Sequence, residues 1–92
     1  MDFAEFIRET REKHNMPIRK LAAEMDMDTS TLSKIERKDR QVTPAMIPVL
    51  ARVFKLDYKE LQIKFLSQRI KNEYGELDYF TEAIEDLFNQ LK

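Results

Sequence analysis

Cysteine is absent from this 92-residue chain, so neither a disulfide framework nor a thiolate metal site is available to it. Glycine occurs once, at Gly75, and proline three times. That scarcity excludes collagen-like, disordered and loop-rich all-β chains, which depend on such residues. Histidine also occurs once, at His14, and with no second imidazole and no thiol a zinc site has too few ligands. No apolar run reaches the roughly 20 residues of a membrane span. The opening Met1-Asp2-Phe3-Ala4-Glu5 bears acids and no apolar signal core. There is no glycine-rich phosphate loop, no nucleophile elbow and no histidine–cysteine pairing. The expectation is a cytoplasmic protein that is not an enzyme and that has no cofactor, no metal and no membrane partner.

Hydrophobic residues make up 42% of the chain and charged residues 36%, a balance that favours an all-helical domain. A chain of this length buries a limited core, so a second subunit would help it. The net charge of −1 is unpromising for a nucleic-acid partner until its distribution is read. Between Lys34 and Lys55 stand six basic residues (Lys34, Arg37, Lys38, Arg40, Arg52, Lys55) and two acids. Between Lys71 and Lys92 stand two basic residues and six acids (Glu73, Glu76, Asp78, Glu82, Glu85, Asp86). A basic centre can face phosphates while an acidic end faces away. Two solvated faces are the plainer reading of the same pattern.

Helical spacing of Phe3, Phe6, Ile7 and Arg11 predicts a first helix over residues 2–13, capped by Asp2. His14-Asn15-Met16 forms a turn, and Pro17 opens a second helix over 17–25, where its missing N–H is harmless. Asp26-Met27 is the next turn. Asp28 is placed as the N-cap of a third helix over 29–37, with Leu32 and Ile35 inward. A charged loop, 38–42, precedes Thr43-Pro44, which signals the start of a fourth helix. Asp57 caps a fifth helix continuing to about 74, and Gly75 follows as a helix stop. Leu77, Phe80, Ile84, Leu87 and Leu91, spaced 3, 4, 3 and 4 apart, form an a/d seam on a sixth segment.

The stretch Met16–Arg37 is two short helices joined by a tight turn, the layout that places a second helix in the DNA major groove. Ile7-Arg8-Glu9-Thr10-Arg11, Leu21-Ala22, Leu32-Ser33-Lys34-Ile35-Glu36-Arg37, Leu50-Ala51 and Leu56-Asp57…Glu60-Leu61 carry a family likeness. Through them the chain resembles the lambda-repressor-like, Cro-type helix-turn-helix family, also called the xenobiotic-response-element family. The resemblance covers about the first 61 residues. It implies an all-α fold: a five-helix DNA-binding domain at 1–61, with an additional C-terminal helix in an extension at 62–92. Three positions depart from the family pattern. Asp26 and Lys38 stand where glycine is usual, and Ile18 where a phosphate-touching glutamine is usual. Aspartate tolerates the left-handed conformation that Asp26 would need, and helix N-terminal amides can replace the glutamine contact.

By this resemblance Thr29, Ser30 and Lys34 read bases. Hydroxyls donate or accept, a threonine methyl can meet a thymine methyl, and lysine can donate to guanine O6 or N7. Arg19, Lys20, Thr31, Ser33, Arg37, Lys38, Arg40 and Gln41 contact the DNA backbone, which fixes register without specifying sequence. The alternative reading gives Thr29 and Ser30 a capping role only and leaves Arg19 and Lys20 on a solvated face. The resemblance also implies a structural ion pair between Arg11 and Glu36, which orients the third helix.

An isolated helix of the length of the sixth segment is marginal in water, so its seam must pack either in cis or on a twin helix. Cro-type domains bind palindromic half-sites as dimers about 34–36 Å apart. Phe65, Ile70, Leu77, Phe80, Ile84, Leu87 and Leu91 are therefore the expected dimer interface. The functional expectation is a dimeric repressor and autoregulator, favoured as a restriction–modification controller, whose partners are double-stranded DNA and a second copy. Two alternatives stay open. One is an antitoxin-type repressor whose acidic C-terminal helix binds a toxin. The other is a protein-interaction module without DNA affinity. Contact with polymerase is a further possibility for a regulator of this kind.

Overall fold

The computed structural model describes residues 2–92. Six helices follow in order, with no strand among the described residues: α1 (Phe3–Lys13), α2 (Ile18–Glu24), α3 (Thr29–Glu36), α4 (Met46–Phe54), α5 (Tyr58–Tyr74) and α6 (Phe80–Gln90). Aspartate starts three of them by the same device. The carboxylates of Asp2, Asp28 and Asp57 accept from the backbone N–H groups of Glu5, Thr31 and Glu60 at 2.9, 2.7 and 2.9 Å. Each fills one of the orphan donors of a first turn.

The ends of α1 to α4 also share a device. The chain turns left-handed at Asn15, Asp26, Lys38 and Lys55, with φ of 51°, 56°, 70° and 55°. The residue after each turn donates back to a carbonyl five positions earlier: Met16 to Arg11, Met27 to Ala22, Asp39 to Lys34 and Leu56 to Ala51. That is the Schellman closure, which normally uses glycine. Here Met16, Met27 and Leu56 follow the turn and pack onto the core, so each closure is also a hydrophobic clamp. Asparagine and aspartate accept this backbone readily, whereas lysine is held there against its preference. Lys55→Gly is expected to stabilise the fold by up to about 1 kcal/mol, the relief of left-handed strain exceeding the entropy of a freer unfolded chain. A thermal melt should rise by a few degrees, and a fall would show that the Lys55 side chain contributes more than its backbone costs.

Ile7, Leu21, Leu32, Ile47 and Leu50 are fully buried and come from each of the first four helices. Leu61 and Phe65 of α5 close the core, Phe65 lying edge-on to Phe3 with ring centroids 5.5 Å apart. Val42 pins the α3–α4 loop into the same cluster. α6 stands outside it, with no buried residue.

Several expectations are corrected here. Pro17 is the residue before α2 and not its first helical residue. α4 opens at Met46 instead of Thr43-Pro44. Thr43 and Pro44 form a tight turn first, in which Met46 and Ile47 donate back three residues to their carbonyls. Gly75 does end α5, but with right-handed φ of −62°. Its missing side chain serves a close approach: a Cβ there would run into the Lys71 carbonyl oxygen. Leu77 lies in the α5–α6 connection, so the helical part of the seam begins at Phe80. Phe65 belongs to the core and is withdrawn from the expected interface, because its side of α5 is the one that packs on Phe3.

Candidate nucleic-acid interface

The geometry of α3 follows from its periodicity. Leu32, Ile35 and Glu36 are buried, which turns Ser30, Lys34 and Arg37 to the opposite side, while Thr29 is exposed at the N-terminal end and Ser33 is half-buried at the edge. Thr31 lies at the edge of that face, half-buried. Asp28 holds the N-terminal end. Its Oδ1 takes the Thr31 N–H at 2.7 Å and the Ser30 hydroxyl at 3.0 Å. The Thr31 and Ser30 hydrogen bonds hold the Asp28 carboxyl below its ordinary value. Ser30 is thereby given a direction that sequence alone leaves open. With its proton engaged by Asp28, the Ser30 oxygen offers lone pairs, suited to the amino groups of adenine or cytosine.

Arg11 and Glu36 orient this helix from behind. Arg11 Nε and Nη2 donate to the two carboxylate oxygens of Glu36 at 2.8 and 2.9 Å, a bidentate pair. Arg11 Nη1 donates to the Met16 carbonyl at 2.9 Å, so one guanidinium ties α1, the α1–α2 turn and α3. Glu36 is the one charged residue buried among those described. Its hydrogen bond keeps the Arg11 guanidinium above its ordinary value despite some burial.

The expected phosphate contacts divide into two groups. Arg19, Lys20 and Arg40 are exposed and make no ion pair among the described residues, and the same holds for Lys34 on α3. Arg37 lies 3.5 Å from Asp39 and remains largely exposed. Lys38 is engaged elsewhere, and Gln41 is engaged through its side-chain oxygen alone. The left-handed turn at Lys38 sends its amino group to Asp2 and to Glu5, the latter at 2.9 Å. Those partners raise the lysine from its ordinary value, with the Asp2 hydrogen bond the largest influence. The Gln41 side-chain oxygen accepts from Arg69, a residue that the sequence reading did not single out. Ile18 packs against the core.

His14 caps α1, donating from Nδ1 to the Thr10 carbonyl at 2.8 Å and lying against Phe54. No cluster of three or more potential metal-ligating side chains occurs among the described residues. No described helix is long and apolar enough to cross a membrane.

The family model described as helix-turn-helix matches residues 7–61, well over half of the chain. No curated protein and no solved structure gives a significant match. The matched span runs from α1 through the capped α3 face to the first turn of α5. The chain thus belongs to the helix-turn-helix family, as a lambda-repressor-like, Cro-type DNA-binding transcriptional regulator.

Proposed function

We propose that the protein is a dimeric repressor and autoregulator that reads a palindromic operator with α3 in the major groove. The observation that carries this reading is the outward face of α3, where Ser30, Lys34 and Arg37 stand exposed, with Thr29 at the N-terminal end, above the buried Leu32 and Ile35. Arg19 and Lys20 on α2 and Arg40 after α3 are exposed, make no ion pair among the described residues, and are the proposed phosphate contacts. Repression is steric: DNA held by the protein is denied to polymerase. The favoured setting is a restriction–modification operon, in the cytoplasm. Residues 1–61 are the DNA-binding unit, and 62–92 are the pairing extension.

Pairing is supported by the two-sidedness of α5. Leu61 and Phe65 face the core, while Ile63, Leu66, Ile70 and Tyr74 line the other side at helical spacing. Ile63 and Leu66 are 54% and 46% exposed, too much apolar surface for one helix face to leave in water. α6 adds Ile84, Leu87 and Leu91, also exposed. Ile70, Tyr74, Phe80, Ala83, Ile84 and Leu87 line an open groove of roughly 590 Å³ between the two helices. The occupant of that groove is the same hairpin of a second copy. An antitoxin role has one observation in its favour. Glu82, Glu85 and Asp86 project from the side of α6 away from the groove, leaving an acidic face for a basic partner.

The experiment is selection of duplexes from a randomised DNA pool, followed by fluorescence anisotropy over a salt series. The selected duplex should bind on the order of 10³-fold tighter than a scramble, with affinity falling steeply as salt rises. Failure to enrich any sequence would remove the specific-regulator reading. Arg40→Ala should lower the slope of log K against log salt by about one unit and weaken selected and scrambled duplexes alike. Lys34→Ala should weaken the selected duplex more than the scramble, and equal losses would reassign Lys34 to phosphate.

A further inference from the structure

Arg69 of α5 is hydrogen-bonded to the α3–α4 loop at two points. Arg69 Nη1 donates to the Val42 carbonyl at 2.8 Å, Nη2 donates to the Gln41 side-chain oxygen at 2.5 Å, and Nε donates to Glu73 at 3.0 Å. Its guanidinium lies over the Phe65 ring, 5.5 Å from the centroid. The three contacts and the ring fix the fork in one plane, which a lysine in the same place would not achieve.

The chemistry of the pair dictates which way Gln41 points. A guanidinium has only donors, so Gln41 must turn its carbonyl oxygen to Arg69. The amide nitrogen is then presented on the other side, as two N–H donors on an exposed residue one position from Arg40. The backbone of the loop is held as well, since Val42 is both buried in the core and hydrogen-bonded to Arg69. At the opposite end of the loop Lys38 is anchored to Asp2 and Glu5. Residues 38–42 are thus strapped at both ends, and Arg69 ties them by hydrogen bonds to the helix that bears the outward apolar stripe.

We propose that Arg69 is a positioning residue for DNA binding. It turns the uncharged Gln41 amide toward a phosphate, without touching DNA itself. The assignment rests on the reading of this face as the DNA interface, and it deepens it. Two half-sites at fixed spacing demand that the phosphate contacts of each subunit be rigid relative to the pairing helix. Ile70, on the outward stripe, is the next residue after Arg69, so one turn of α5 serves both.

The test compares wild type, Arg69→Met, Gln41→Ala and the double variant on the selected duplex, at temperatures well below each melting transition. Methionine keeps contact with Phe65 and removes the fork. Arg69→Met is expected to weaken binding by about tenfold while leaving the salt slope unchanged, because no phosphate contact of its own is lost. Gln41→Ala should then add little in the Arg69→Met background, the non-additivity of groups acting through one another. Backbone amides of residues 38–42 should exchange faster in Arg69→Met, with exchange in α1 and α2 unaltered. Wild-type affinity in folded Arg69→Met would overturn the assignment, and so would a salt slope reduced by about one unit, which marks a direct phosphate contact. Additive losses in the double variant would overturn the route through Gln41. Failure of the wild-type protein to prefer any duplex would instead strike the functional reading, which the wild-type measurement decides alone.

Discussion

Glu36→Ala is expected to destabilise the fold by roughly 3 kcal/mol, the lower end for a broken buried pair, and to lower Tm by about 12–24 °C. Glu36 is 6% exposed and its partner Arg11 14%, so the guanidinium left behind has limited access to water. It would keep the Met16 carbonyl and lose both strong acceptors. Arg11→Met strands the carboxylate in the same way and should cost a similar amount. The double variant Arg11→Met/Glu36→Leu removes both charges and should recover much of the loss, because a pair's Coulombic gain is largely offset by its desolvation. Recovery of stability need not restore DNA binding. The bidentate geometry sets the angle of α3 against α1, and packed side chains of similar volume do not reproduce it. A folded double variant with weakened operator affinity would separate orientation from stability. A Glu36→Ala melt equal to wild type would contradict the argument at its base.

What was legible in the sequence is what short-range chemistry decides. Asp28 caps α3 because its own side chain reaches Thr31, and nothing distant is needed. The outward face of α3 follows from burying Leu32 and Ile35. Asp26 was readable as a left-handed turn residue for the same local reason. What was not legible depends on neighbours remote in sequence. α5 is apolar on two sides, and only the presence of Phe3 shows that Phe65 belongs inward and Ile70 outward. Lys38 stands beside Arg37 in the chain, but the turn at φ 70° points it at Asp2 and Glu5, more than 30 residues earlier. The role of Arg69 gave no signal, because its loop partners lie 27 and 28 residues away. Thr43-Pro44 misled for a local reason. A proline suits a tight turn as well as a first helical position, and here it makes the turn that precedes α4.

Ile84→Lys/Leu87→Lys is expected to halve the mass seen in sedimentation, from twice the 11.0 kDa chain to one copy. Both side chains are exposed within one chain, at 38% and 46%, and neither belongs to the core cluster. The substitution therefore leaves the core cluster of α1 to α5 intact. Lysine suits α6, which carries Glu82, Glu85 and Asp86 and no basic residue, so the helix itself should persist. Two lysines in each of two apposed seams would place four like charges in an apolar groove, and desolvating them costs more than the groove returns. DNA binding should fall with pairing. A dimer engages its second half-site at the high effective concentration set by the first, and losing that advantage weakens binding on the order of 10²-fold or more. The far-ultraviolet circular dichroism should remain helical, which excludes unfolding as the cause. If the double variant still sediments as a dimer, the seam is not the pairing surface. If it is monomeric and binds the operator as tightly as wild type, each subunit reads its site alone and the palindrome argument fails.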